Sequence, residues 1–232
     1  MAVALGTAVV VASQSATNVA SFSVTVTAAA GSYIDWKFMV ANNQTLTFPA
    51  SNSFDGVNAY TQAGSKIDDT TEDKYVYQFY TTSAVAGGSY TLTVTFQFAD
   101  HVFIGIATPI LNSSGFDTSG GQAQATPGTG ANIITTGTMT PSFQPGLILG
   151  ACFFNAASLS AGTSPNAFTL SESGSSSTSL HYLSEYFNYS ALTALAATFG
   201  QTTSNSGSSV ATLWKGLSES SSLLIGSNQG GF

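Results

Sequence analysis

The amino-acid sequence predicts an all-β protein, an antiparallel sandwich or jelly roll of about ten to twelve strands. Three observations carry that reading. Residues 90 to 98 alternate without a fault, with Tyr90, Leu92, Val94, Phe96 and Phe98 on one side and Thr91, Thr93, Thr95 and Gln97 on the other. Side chains on a strand change face at every residue, so this stretch is a strand with one apolar and one hydroxyl-rich face. Val102 to Ala107 is apolar at nearly every position, as a strand covered on both faces would be. Ser, Thr, Asn and Gly fill the stretches between such runs, and the single helical candidate, Ala191 to Ala197, is weakened by Thr193 and Thr198.

Taken in order, Val3 to Ala12 is Val-rich and extended. Ser21 to Thr27 alternates cleanly, Phe22, Val24 and Val26 inward. Ala28 to Ser32 turns into Tyr33 to Ala41, where Ile34, Trp36, Phe38 and Val40 oppose Tyr33, Asp35 and Lys37. The two charges mark the second face as the wet one. Leu46 to Pro49 is a short strand closed by proline, suited to an edge. Asn52 to Asp73 reads as loop, and Lys74 to Thr82 as an aromatic strand. Gly87-Gly88 joins that strand to Tyr90 in a hairpin, and Ala99-Asp100-His101 turns into the run from Val102. Asn112 to Gly130 is a long loop or flattened strand. Ile133 to Met139, Leu147 to Phe154, Ala167 to Leu170, Leu180 to Phe187, Leu195 to Phe199 and Val210 to Leu217 complete the set. The organisation is an N-terminal strand or arm over residues 1–19, a sandwich over 20–217 and a Ser/Gly-rich tail over 218–232.

Charge is the anomaly of the composition. Charged residues make up 6% of the 232, against roughly 25% in ordinary soluble domains. Four lysines, no arginine and eleven carboxylates give a net charge of −7. So few cations cannot hold a phosphate backbone, which excludes nucleic acid as a partner. No run approaches the length of a membrane span, and the apolar N-terminal segment lacks the basic residues of a signal peptide. The one cysteine, Cys152, lies in the apolar run Leu147 to Phe154 and is expected to be buried as a small hydrophobe.

The succession SFSVTVTAAAGSYI, SYTLTVTF, GLILGACFF and VATLWKGL, spread over residues 20–217, resembles a β-sandwich module that recurs in phage virion and tail proteins and in bacterial surface proteins. The resemblance implies a structural role, as a capsid decoration (cement) protein or tail component in the virion, or on an extracellular surface. It brings no catalytic residue with it.

Chemistry is sparse. His101 beside Asp100, and His181 with Glu185 four residues on, are the two histidines, and no nucleophile setting accompanies either. Glu172, Glu185 and Asp100 are the acids available for a glycosidase pair, but no strand carries two at alternate positions. Asp68, Asp69, Glu72 and Asp73 could offer oxygens to Ca²⁺; Lys66 and Lys74 flank them, and a solvated loop tip is the expected form. Tyr182, Tyr186 and Tyr189 with Tyr75 and Tyr77 could stack on a sugar of a host-surface glycan. The expectation is a non-enzymatic protein with no catalytic, cofactor or metal site. Its partners are expected to be copies of itself, as a homo-oligomer such as a trimer, and other virion proteins. Strand edges nearly free of Lys and Pro leave little to stop pairing between chains. Phe96, Val94, Trp36, Phe38 and Phe153 are expected in one core.

Overall fold

A computed structural model describes residues 1–41, 46–49, 52–70, 73–124, 130–155, 159–163, 165–176, 180–201 and 207–218. Among these the chain is all-β, with every ladder antiparallel and no helix. The first sheet holds β1 (Ala4–Leu5), β2 (Val9–Ala28), β3 (Tyr33–Ala41), β4 (Leu46–Thr47), β5 (Tyr60–Gln62), β6 (Ile67–Asp69), β7 (Lys74–Thr81) and β8 (Gly88–Leu111). Its spine runs β1-β8-β3-β7-β5, with β2 and β4 on β8 and β6 on β7. The second sheet is built from β9 (Ser113–Gln124), β11 (Gly146–Asn155), β13 (Thr169–Ser175), β14 (Leu180–Tyr189) and β16 (Gly207–Gly216), in the order β13-β14-β11-β16-β9. A small third sheet orders β10 (Gly130–Thr135), β15 (Thr198–Gln201) and β12 (Leu159–Ala161) as β10-β15-β12.

The first sheet curls over its own core. Phe22, Val24 and Val26 of β2 and Tyr90, Leu92, Val94 and Phe96 of β8 pack against Trp36 and Phe38 of β3, Tyr77 and Phe79 of β7, and Phe103 farther along β8. The bend that allows this lies where the β2–β8 ladder changes register, between Gln14 and Ser21 on one strand and Thr95 and Val102 on the other. Such bulges kink a strand without reversing it. The turn expected at Ala99-Asp100-His101 is therefore a corner inside one continuous strand. The hairpin expected at Gly87-Gly88 is likewise absent, because β3 lies between β7 and β8. The connection instead runs under the turn before β3, where Gly31 donates to Val85 (2.9 Å) and Val85 to Ser32 (2.8 Å). Gly87 sits at φ +93°, with a Cβ there only 2.8 Å from the Ala30 nitrogen, so conformation and space both call for glycine. β2 and β3, consecutive in sequence, do not pair either; they face each other across this core.

The other face of the first sheet lies on the second. Met39, Val76, Ile104 and Ile106 meet Ala151, Phe153 and Val210, and Ile110 with Val3 meets Leu147, Leu149 and Trp214. Beyond the second sheet, Ile148, Cys152, Leu183, Ala211 and Leu213 pack on Ile134, Ala197 and Phe199 of the third-sheet region. The result is a stack of layers with the β3–β8 and β11–β16 strands at its centre. Those central strands are buried on both faces, as the unbroken apolar run from Val102 indicates.

Sixteen strands occur among the described residues, more than the ten to twelve expected. β1, β4, β5, β6 and β12 have two or three residues each, too short to show alternation. Asn52 to Asp73 thus holds two short strands within its loops, and Ser113 to Gln124 is strand. Residues 191–197 carry no helix, only a bridge from Leu195 to Met139. The first N-terminal residues belong to the first sheet, Val3 being buried and the Met1 ammonium donating to the Leu217 carbonyl at 3.1 Å. Of the proposed tail, residues 219–232 lie outside the described residues.

Phe96, Val94, Trp36 and Phe38 share one core, whereas Phe153 is buried on the other side of the first sheet, in its contact with the second. Phe96, 5% exposed, packs at 5.7 Å from Phe22 and 6.0 Å from Phe103. Phe96→Ala should cost about 3 kcal/mol in urea unfolding, the low end for a buried phenylalanine because a short ladder with β4 leaves room to collapse. A loss below about 1 kcal/mol would place Phe96 outside the core.

Candidate functional site

The densest polar cluster lies between the first two sheets. Asp35 and Lys37 share a face of β3, as their spacing of two requires, but that face is dry: they are 1% and 2% exposed. The expectation that these charges mark the solvent side is overturned, because the second sheet covers them. Lys37 Nζ forms an ion pair with Asp35 Oδ1 and donates to Thr212 Oγ1 at 3.0 Å. Thr212 donates to Asp35 Oδ2 at 2.5 Å, and Trp214 Nε1 donates to the same oxygen at 3.2 Å. Thr212 and Trp214 alternate on β16 and so present both donors to one spot. Burial lowers the Lys37 pKa from its ordinary value, and the attraction and hydrogen bond of Asp35 only partly oppose that.

A second charge pair repeats the arrangement. Asp69 and Lys74 face each other across β6 and β7, 3.7 Å apart and each 2% exposed at the side chain. Ser208 of β16 donates to Asp69 at 2.9 Å. Two lysines thus lie inside the sheet contact, Lys37 bonded directly to Thr212 of β16 and Lys74 linked to that strand through Asp69 and Ser208. The solvated loop tip expected around Asp68 to Asp73 is only half correct. Asp68 is exposed beside Lys66 at 3.8 Å, and the Lys66 ammonium sits 3.3 Å from the Tyr75 ring centre. Asp69 turns inward, so the two acids do not converge on a cation; Glu72 lies outside the described residues. Among the described residues no group of three or more His, Cys, Asp and Glu side chains could hold a metal ion.

The remaining candidates are dispersed. Glu185 is fully buried between the second and third sheets, and its two oxygens accept from Gly162 N at 2.8 Å and Thr198 N at 3.2 Å. His181, on the same strand, is half-buried opposite Phe154 and Ser175. The side chains of Asp100 and His101 lie outside the described residues. Glu172 acts on the Tyr182 hydroxyl, on the side of β14 away from the Glu185 carboxyl, so the two acids share no cleft. The tyrosines expected to form a sugar platform are separated. Tyr182 and Tyr186 pack between the first two sheets, Tyr189 faces the third-sheet core, and Tyr75 and Tyr77 belong to the first core.

An open depression of about 370 Å³ lies at one end of the molecule, between the Ala29–Ser32 turn, the Leu111–Ser113 turn and Leu217. Its lining carries no titratable side chain. Cys152 is fully buried, and burial pushes its thiol well up.

The polar groups thus hold layers together. Fold and cluster define an all-β protein of stacked antiparallel sheets in which two ion pairs buried in the first sheet are hydrogen-bonded to β16 of the second. No family model, curated protein or solved structure matches the chain. Sequence reasoning singled out Asp35, Lys37, Asp69 and Lys74 but assigned them to solvent. Thr212, Trp214 and Ser208 were missed, although Ser208 and Thr212, four apart and so on one face of an otherwise largely apolar strand, were the available signal.

Proposed function

We propose that this chain is a non-enzymatic structural protein of a virion, a capsid decoration or tail component that works through protein–protein contacts and self-association. The observation that carries this reading is where the lysines go. Lys37 and Lys74 are spent in the interior, so only Lys66 and Lys215 are left to the surface. Lysine is the residue that most often keeps sheet edges from pairing with other chains. The open edge of the second sheet is β13, largely exposed, with Leu170 at 49% and no Lys or Pro. Its guards are one bulge and Glu172. The pattern-level resemblance to virion β-sandwich modules supports the same reading.

The purified chain should elute as a homo-oligomer at micromolar concentration in light scattering. Ser173→Lys on the exposed face of β13 should shift it toward monomer without lowering its melting temperature. Particles purified from the source should contain the chain by mass spectrometry. A monomer that attaches to no particle would end the proposal, and saturable binding to one glycan would favour an adhesion module instead.

A further inference from the structure

The two large sheets run in step, one on the other. At one flank Ser208 of β16 donates to Asp69 of β6, and Gln78 of β7 donates to the Gly120 carbonyl of β9 at 3.4 Å. Toward the opposite flank Val10 and Ala12 of β2 pack on the cluster that holds Leu180 and Tyr182 of β14. Both sheets end there. Among the described residues β2 pairs only with β8 and β13 only with β14, so two open edges run along the same side of the stack. The outward N–H and C=O groups of an open edge form a row that another strand can complete.

What lines this flank narrows the choice of strand. Val9, Val10, Val11 and Ala12 are each half-buried, their side chains alternating between the first core and the contact with the second sheet. A strand added to β2 must therefore bring apolar side chains on both faces, as β2 itself does. On the other layer β13 exposes Leu170 and Ser173. Gly174 leaves room there for Tyr182, whose hydroxyl lies 2.5 Å from where a Cβ at 174 would be. An aromatic ring thus fills the flank between the two edges. Glu172 is the only charged residue of either strand, so nothing here answers a charged partner.

We propose that a second copy of this chain docks on this flank about a two-fold axis normal to the sheets, β2 of each copy pairing with β2 of the other and β13 with β13. The inference rests on the self-association proposed above and names its surface. Such an axis reverses every in-plane direction, so both pairs are antiparallel at once and both sheets continue across the dimer. Any register within residues 9–12 sets apolar side chains against one another. A register that seats Glu172 against itself is disfavoured by repulsion. Each edge is about 20 Å long at roughly 3.3 Å per residue, and the sheets stand about 10 Å apart. A flank of that size buries on the order of 500 Å² per copy, near the least a specific contact needs. The dimer should therefore dissociate in the micromolar range.

Sedimentation equilibrium on the purified chain tests this, with circular dichroism to show that each variant folds. The wild type should pass from monomer to dimer as its concentration rises through the micromolar range. Val9→Lys and Ser173→Lys, one on each edge, should each weaken that same dimer by about tenfold or more, and together leave a monomer. Were the edges to serve separate contacts, the wild type would form longer chains and each variant would stop at a dimer, which overturns the shared axis. A wild-type dimer indifferent to either variant overturns the proposed surface while the self-association stands; a wild type monomeric at every concentration overturns both. Should Val9→Lys fail to fold, hydrogen exchange of the wild type decides. Peptides covering residues 9–14 and Thr169–Ser175 should both gain protection as concentration rises, and exchange independent of concentration in either would refute the proposal.

Discussion

Lys37→Met should destabilise the protein by about 3–5 kcal/mol in urea unfolding, as expected when one partner of a buried ion pair is removed. Methionine matches the lysine stem, so little packing is lost. What remains is Asp35, fully buried, with Thr212 and Trp214 donating to one oxygen and nothing neutralising its charge. Burial lowers the Lys37 pKa even with Asp35 in contact, so the attraction does not make up for lost hydration. The pair is therefore not a large net source of stability, and breaking half of it is worse than removing both charges. Asp35→Asn/Lys37→Met, which leaves Thr212 and Trp214 an acceptor, should be more stable than Lys37→Met by more than about 1 kcal/mol. A single-variant loss below about 1 kcal/mol would mean that water reaches the cluster and that the sheet contact is looser than its burial indicates.

Alternation was legible and layering was not. The faces of Tyr90 to Phe96 and of Ile34 to Val40 fall where the period of two puts them, because that period is set by strand geometry alone. Whether a polar face is wet depends on what covers it, and a strand's own residues carry that only indirectly. Asp35 and Lys37 read as solvent-facing for this reason. The missed clue lay one strand away. The run from Val102 was read as covered on both faces, and β3 pairs with it from Tyr33 to Val40, so β3 had to be covered as well.

Turn residues misled in a related way. Gly87-Gly88 and Ala99-Asp100-His101 mark changes of direction, and both are such places. Neither states which strand comes next in the sheet, since partner choice is settled by contacts distant in sequence. The charge pairs were legible as residues and not as a site, because Ser208, Thr212 and Trp214 lie more than a hundred positions from the acids they contact. Glu185 was noted beside His181 on a shared strand face. Its true partners, two backbone N–H groups, carry no side-chain signature at all.

Phe38→Ala should cost more than Phe96→Ala, about 4–5 kcal/mol, at the upper end of the range for a buried phenylalanine. Phe38 is 0% exposed on a strand paired on both sides, so the backbone around it cannot close in. Its ring lies 5.1 Å from Tyr77, 5.9 Å from Phe79, 4.7 Å from Trp36 and 6.0 Å from Phe22. Those neighbours come from β7, β3 and β2, so the void opens where both layers of the curled sheet meet. Stiff aromatic rings fill a hole poorly, which favours a residual cavity over relaxation. Phe38→Leu retains most of the contact and should lose no more than about 1–2 kcal/mol. The two tryptophans make the measurement discriminating. Trp36 lies in this core and Trp214 beside the buried ion pair, so fluorescence during unfolding samples both. If the sheets melt as one unit, Phe38→Ala lowers a single transition by the full amount. Two separated transitions, with only the first displaced, would show that the curled sheet and the rest of the stack unfold independently despite the hydrogen bonds from β16 to the buried ion pairs.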